Sequence, residues 1–391
     1  MGLALEIIKT VASVPILGGT IFSLLCVLAT WRLLAARTRI TPSFFPPVSI
    51  LKPVYGLDRD LEDNLLSFCR QDYPEFQLVL CVQRLNDPAL PILRRVAHRY
   101  PEIVTLVVKE SEPVFNGKIQ NISNGLEAAL HEFLVISDAD VRVAPDYLRT
   151  IISPLHDPAV GFSCTLYRTA DARTTYDKLE LLSMNADFLP SLLFTAWTNA
   201  AVFCLGATVA VRRTDVDAVG GIPSLAEFLV EDQEMGRRLV QAGKRMSLSP
   251  TFVDIIPDYR TFRQWWSHQV YWDQNTKAAN PLGFALTILT RAIPFALIFL
   301  LADGFGPLGS MVFAFALTAR LGTAAVISRM LGDRESLRAL WLLPFRDLLG
   351  LVSWAAALSK RTFLWRGNRF RLDRRGRIFR VRPGQVTVSR S

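Results

Sequence analysis

Four short apolar runs punctuate the early chain, at residues 48–51, 76–82, 104–108 and 133–136. Between them lie stretches with the spacing of amphipathic helices, residues 58–69, 88–100 and 118–130. Short apolar runs bounded by polar residues predict buried strands. Their alternation with helices predicts right-handed βαβ units in a mostly parallel sheet covered on both faces. Asp58 is expected to cap the first helix, with Leu61, Leu65, Leu66 and Phe68 facing the core. Further on, strands are expected at 161–164 and 205–212, and a helix at 231–241 that stops at Gly243.

Longer apolar stretches flank this region. Residues 10–31 carry no charge over a length sufficient to span a bilayer. Arg32, Arg37 and Arg39 follow, against Lys9 and Glu6 before, so the positive-inside bias puts the N-terminus outside and the next domain in the cytoplasm. The positive charge lies on the wrong side for a cleaved signal peptide, which leaves a signal anchor. Residues 41–47, with three prolines, form a linker. Residues 176–205 are amphipathic but interrupted by Asp187, Pro190 and Asn199, and are expected to form a lipid-facing wall. The aromatic and basic stretch 259–277 reads as an interfacial helix at the mouth of a site, or as a plain anchor.

Two apolar segments, 281–302 and 307–327, are joined by Asp303-Gly304-Phe305-Gly306 and interrupted by Arg291 and Arg320. From Arg291 to Asp303 a helix extends only about 17 Å. Either the arginines snorkel within a full hairpin or the hairpin is re-entrant, with both near the cytoplasmic headgroups. Residues 340–358 hold Arg346-Asp347 in their middle. A third crossing would carry the basic tail outside, so this segment is expected in the interface. The layout is then an anchor (1–40), a cytoplasmic domain (41–258), an interfacial helix (259–280), a membrane hairpin with one further segment (281–360) and a cytoplasmic tail (361–391).

Composition agrees with a membrane protein. The 391 residues are 50% hydrophobic, with a net charge of +9 and a mean hydropathy of +0.26. Basic residues concentrate at 32–39 and 360–382, directly beside apolar segments, which favours the anionic cytoplasmic face of a membrane over nucleic acid. Five scattered cysteines without Cys-x-x-Cys spacing give neither a zinc site nor a disulfide framework.

The chemistry concentrates where the fourth run ends, in Ser137-Asp138-Ala139-Asp140. Ligands of open α/β sheets bind at the carboxyl ends of the strands, and side chains two apart on an extended chain share a face. Asp138 and Asp140 suit one hard divalent cation, Mg²⁺ or Mn²⁺, bridging to a diphosphate; the alternative is a polar turn. Lys118 and Asn121, one turn apart at a helix start, suit a phosphate or a solvated first turn equally. Asp232 is the candidate general base, or an acid that only complements its helix dipole.

Taken together, these residues resemble the ceramide glucosyltransferases of glycosyltransferase family 21, whose nucleotide-sugar domain has the glycosyltransferase-A fold. The similarity covers residues 48–272. It rests on Ser49-Ile50-Leu51-Lys52-Pro53, Gln71-Asp72-Tyr73-Pro74, Leu80-Cys81-Val82-Gln83, Asn86-Asp87-Pro88-Ala89 and Val141-Arg142-Val143-Ala144-Pro145-Asp146, in the family's order. It implies an α/β glycosyltransferase-A domain with N- and C-terminal membrane helices. It also implies nucleotide contact at Asp87, a metal pair at Asp138 and Asp140, Asp232 as base, a diphosphate-sugar donor, a lipid acceptor and inversion at the anomeric carbon. The expected donor-binding set is Asp87, Lys118, Asn121, Asp138, Gly206, Arg263, His268 and Trp272.

One departure matters. The family closes its site with Gln or Arg, two variable residues, then Arg-Trp; here the stretch is His268-Gln269-Val270-Tyr271-Trp272. A neutral Tyr271 removes a charge-assisted bond to the diphosphate, for which Arg260, Arg263 or a tail arginine is a substitute. The tail's Trp365-Arg366-Gly367 resembles endings of bacterial enzymes acting on lipids such as hopanoids, and suggests a tail folded back toward the site. The expected activity is transfer of glucose from UDP-glucose to the primary hydroxyl of ceramide, in a bacterial inner membrane. The alternatives are another UDP-sugar (galactose, glucuronate or N-acetylglucosamine), a hopanoid or other lipid acceptor, or a nucleotide-sugar-binding membrane protein without catalysis.

Overall fold

The computed structural model describes residues 2–37, 42–110, 116–359, 362–365, 368–372 and 377–380. Helix α1 (Gly2–Arg37) extends well beyond the uncharged stretch 10–31. The alternation that follows is β1 (Val48–Pro53), α2 (Leu61–Cys69), β2 (Phe76–Val82), α3 (Leu90–Arg99), β3 (Val104–Val108), α4 (Gly117–Leu126), β4 (Phe133–Ser137), β5 (Val141–Arg142) and α5 (Tyr147–Ile152). Next come β6 (Val160–Thr169), α6 (Thr175–Ser183), a π-helical turn at Met184–Phe188, α7 (Leu189–Thr198), β7 (Thr208–Arg212), α8 (Arg213–Ala218), α9 (Glu231–Gln241) and β8 (Arg245–Ile255).

One eight-stranded sheet has the order β3-β2-β1-β4-β7-β6-β8-β5. β1 to β4 are parallel to one another, as the apolar runs predict; β7 lies antiparallel between β4 and β6, while β6 and β8 run parallel. The sheet is therefore mixed beyond β4. The buried strand residues Ile50, Leu51, Leu78, Leu80, Val135 and Phe162 form the core with Leu65 and Phe68 of α2, which explains why these runs carry so little polarity.

Two local readings need correction. Asp58 does not cap α2: that helix begins at Leu61 behind Asp60, which adopts the left-handed conformation. The strand expected from residue 205 begins only at Thr208, because 203–206 form a loop at the site. At the end of β1, Lys52 is fully buried beneath the fourth strand's turn. Its Nζ donates to the Asp138 carbonyl, and to Ser137 Oγ and the Val141 carbonyl at 3.4 Å each. A buried amino group with three oxygens around it fixes the turn that presents both aspartates, although burial pulls its pKa down to about 7.

After the sheet come α10 (Phe262–Ala279), α11 (Pro281–Leu286), α12 (Ala292–Ala302), α13 (Pro307–Met330), α14 (Arg334–Ala339) and α15 (Leu343–Ser359), then the short strands β9 (Thr362–Trp365), β10 (Asn368–Leu372) and β11 (Ile378–Arg380). Among the described residues, three stretches are long and apolar enough to cross a membrane: Gly2–Ala35, Pro307–Met330 and Arg334–Ser359. Pro281–Thr290 and Ala292–Ala302 form a further pair bent by 51° at Arg291. By length and composition, then, a crossing is open to the segment expected in the interface. Lys9 reaches Asp303 at 3.3 Å, so the α12–α13 turn lies level with the N-terminal end of α1.

Candidate active site

The carboxyl ends of β1 and β4, the N-termini of α4 and α9, and the 203–206 loop surround one cavity of about 710 Å³. Lys118, Asn121, Asp138, Asp140, Gly206, Asp232, His268 and Trp272 all line it. Asp87 and Arg263 do not. The Asp87 carboxylate is buried and accepts from the backbone N–H of Gly56 (3.1 Å) and Ala89 (2.9 Å), so it shapes the turn leading to Asp58. Arg263 lies exposed on α10.

Lys118 sits at the centre. The side chain of Asn116 caps α4 by accepting from the Lys118 and Ile119 N–H groups. From there Lys118 Nζ reaches Asp138 Oδ1 at 2.7 Å, Glu231 Oε1 at 3.2 Å and the Gly206 carbonyl at 3.4 Å. Burial works against the Lys118 ammonium, but Asp138, Glu231 and Asp232 outweigh it and hold the proton well above the ordinary range. Asn116 Nδ2 also donates to Glu231 Oε2 at 3.0 Å, tying the starts of α4 and α9 together. The Asn121 Nδ2 donates to the Val54 carbonyl at 3.0 Å, while its buried Oδ1 has no hydrogen-bond partner among the described residues.

The carboxylates crowd one another. Burial, and then the neighbouring charge of Asp138, push Asp140 up to about 6. Asp58, absent from the expected site, faces the same pair and is pushed up to about 7 by burial and then by Asp140 and Asp138. Asp232 is pushed up to about 7 by burial and by Glu231, against the pull of Lys118. Among the described residues no group of three or more His, Cys, Asp or Glu is arranged to hold a metal. Still, two mutually repelling carboxylates of hard oxygen fit Mg²⁺ or Mn²⁺, which commonly takes one or two protein carboxylates and completes its shell with phosphate and water.

The opposite wall comes from α6, the π-helical turn and α10. Asp177, fully buried, closes a capping box on α6 and accepts from the Tyr259 N–H at 2.9 Å, holding the approach to α10. Trp272 packs edge-on to Phe188 at 5.5 Å. His268 lies 3.4 Å from Glu180, which also accepts from Gln269 at 2.6 Å. Among the described lining residues the lysine and arginine side chains are Lys118 and Arg59, and Arg59 is committed to Asp177 at 2.9 Å and to the Asp171 carbonyl.

The sequence model of glycosyl transferase family 21 matches residues 11–378. The chain belongs to glycosyltransferase family 21. A family relative, ceramide glucosyltransferase 1 of Caenorhabditis elegans, is 22% identical over 347 residues, covering 85% of this chain and 73% of the relative. The ceramide glucosyltransferase of Komagataella phaffii is 29% identical over 125 residues, 31% of this chain and 25% of the relative. Among solved structures, mannosyltransferase PcManGT from Pyrobaculum calidifontis, in complex with GDP-Man and Mn²⁺, superimposes with a TM-score of 0.52 at 20% identity, over 91% of this chain and 99% of that one. The family 21 chain thus has the glycosyltransferase-A fold, joined to helices apolar enough to span a membrane.

In this family 21 site, Asp58, Asn116, Tyr167, Glu180 and Glu231 are additions to the residues expected from sequence. The signal for Glu231 was adjacency to Asp232. Asp58 and Asn116 had only their nearness to a helix start.

The tail returns toward this site. Arg377 pairs by a backbone bridge with Phe228 and reaches Glu227 at 3.7 Å, just ahead of α9. Of the tail motif, Arg366 and Gly367 lie outside the described residues.

Proposed function

We propose that the protein transfers glucose from UDP-glucose to the primary hydroxyl of ceramide, with inversion, at the cytoplasmic face of the membrane. The observation that carries this reading is Lys118, bridging Asp138 of the β4 turn and Glu231 beside Asp232 across one cavity. Asp232 accepts the proton of the acceptor hydroxyl as its oxygen bonds to the anomeric carbon and the bond from that carbon to UDP breaks. Lys118 offers positive charge to the departing diphosphate, and Asn121 Oδ1 accepts from a donor N–H or O–H. Asp138 and Asp140 would hold Mg²⁺ or Mn²⁺, which when bound neutralises diphosphate charge. Asp87 serves by holding the Gly56 turn.

A second reading keeps the reaction and changes the substrates, to another UDP-sugar or a hopanoid-type lipid. It is favoured by Tyr271, which lines the cavity where the family's arginine stands, leaving the diphosphate to Lys118. Purified full chain, incubated with UDP-glucose, UDP-galactose, UDP-glucuronate and UDP-N-acetylglucosamine against ceramide and hopanoid polyols and read by mass spectrometry, tests both. Glucosylceramide is the expected product; its absence with another glycolipid formed selects the second reading, and no product with any pair rejects both.

Asp138→Ala is expected to weaken donor binding in a metal-dependent way. Titration calorimetry with UDP should show a loss of about tenfold or more with Mn²⁺ present and a much smaller one in EDTA. Equal losses in both would remove Asp138 from the metal.

The rate should also follow the ionisation of Asp232. With its carboxyl pushed up to about 7, the base is protonated and idle below that pH. The value of kcat/KM is expected to fall as pH drops through about 7 and to level off above about 8. A profile flat from about pH 5.5 to 8.5 would contradict it.

A further inference from the structure

A second cavity, about 200 Å³, lies against the first, between α1, the π-helical turn, α10, α13, α15 and the bend at Arg291. Glu180, Met184, Phe188, Trp272 and Thr276 line both, so this wall divides the donor site from a chamber among the membrane helices. The chamber touches Phe22, Ser23 and Cys26 of α1. From Cys26 to Arg32 is about 9 Å along a helix, which sets the chamber near the headgroup level on the catalytic domain's side.

Its lining is unusual for that depth. Arg346 pairs with Asp187 at 2.6 Å and Asp347 at 3.1 Å, and its Nε donates to Ser183 Oγ at 3.0 Å. Arg320 pairs with Asp347 at 2.9 Å and donates to the Ala186 carbonyl at 3.0 Å. Asp273 accepts from Ser353 at 2.7 Å. Arg291 stands apart: among the described residues it makes no ion pair and its buried Nε has no hydrogen-bond partner. The Asp187 carboxylate stays partly open, with 38% of its side chain exposed. The π-helical turn that carries Asp187 widens the helix at this wall, a distortion frequent at functional sites.

Three guanidinium groups, of Arg291, Arg320 and Arg346, thus face four carboxylates, of Glu180, Asp187, Asp273 and Asp347. With no surplus of positive charge an anion is disfavoured, and Asp187 repels it. Hydrocarbon is disfavoured too, because it would strip water from the exposed part of the Asp187 carboxylate and leave Arg291 Nε without an acceptor. An uncharged group carrying both hydrogen-bond donors and acceptors satisfies both.

We propose that this chamber seats the uncharged, hydroxyl- and amide-bearing polar head of the lipid acceptor, with Arg291 Nε donating to one of its oxygens and Asp187 accepting from one of its hydroxyls. The inference rests on the lipid-acceptor reading above. The reactive hydroxyl then passes the Phe188–Trp272 wall to reach Asp232. Gly350 supplies an independent handle: a Cβ there would stand 2.7 Å from an Arg291 guanidinium nitrogen, displacing it without removing its charge.

The test uses full chain in phosphatidylcholine nanodiscs, with Arg291→Gln and Gly350→Ala. Both are expected to raise the KM for ceramide about tenfold while UDP affinity stays within about twofold. Photoactivatable ceramide should label the chamber in the wild type and lose most of that labelling in both variants. Unchanged KM and labelling, or UDP affinity falling in step with KM, would overturn the proposal. So would Arg291-dependent inhibition by phosphatidylglycerol, which would mark an anion seat. Chamber labelling without any transfer would uphold the seat and reject the proposed reaction.

Discussion

Asp232→Asn is expected to abolish transfer while leaving UDP binding intact. The substitution keeps size and most hydrogen bonding but removes the base proposed to take the acceptor's proton, and a positioned base is worth about 10² to 10⁴ in rate. The position makes the choice sharp. Asp232 stands beside Glu231, and Glu231 is already held by Lys118 at 3.2 Å and Asn116 at 3.0 Å. Glu231 therefore acts through the cavity's frame, while Asp232, whose carboxyl is pushed up to about 7, exchanges a proton near neutrality at the start of α9. Steady-state transfer should fall to background, with the UDP dissociation constant changed by less than about threefold. Turnover within about tenfold of wild type would reject the role.

Much of this frame could be read from sequence because it is carried by contiguous pattern. The apolar run at 133–136 ends in two acids, and the strand β4 does so in space, with Asp138 and Asp140 on the cavity. The start and stop of α9 were equally legible, since an acidic first turn and Gly243, at φ +86°, are local signals. What escaped depends on distant partners. Asp58 gains its meaning from the Gly56 turn, which Asp87 holds from 31 residues away in the chain. Arg346-Asp347 breaks an apolar stretch, and the partners of both side chains stand on α13 and the π-helical turn, outside that stretch. Charge inside an apolar segment is far less costly paired than alone, and hydropathy along one segment cannot register a partner on another. The antiparallel insertion of β7 between β4 and β6 is likewise a matter of topology, with no signature in the run 208–212 itself.

Gly206→Ala should damage the enzyme nearly as much as removing the base, by moving it. The Asp232 carboxyl approaches the Gly206 backbone so closely that an added Cβ would stand 2.9 Å from Asp232 Cγ and 3.4 Å from its Cβ, nearer still to the carboxylate oxygen. Real Cβ atoms do not tolerate that spacing, so the carboxylate must rotate away. Toward α4 it meets Glu231 and its partners; toward the cavity it enters the space of the incoming hydroxyl. Either shift breaks the near-attack geometry on which a positioned base depends, where a displacement of about 1 Å costs on the order of a hundredfold. The Gly206 carbonyl, which accepts from Lys118 at 3.4 Å, stays in place on a backbone that alanine can adopt, so donor binding should change by less than about threefold. The expected result is a kcat about a hundredfold lower with UDP affinity and melting temperature close to wild type. If kcat is retained, the carboxylate that serves catalysis does not stand against Gly206, and Asp232 loses its place in the reaction. If UDP affinity falls together with kcat, the 203–206 loop acts on the donor through Lys118 rather than on the base.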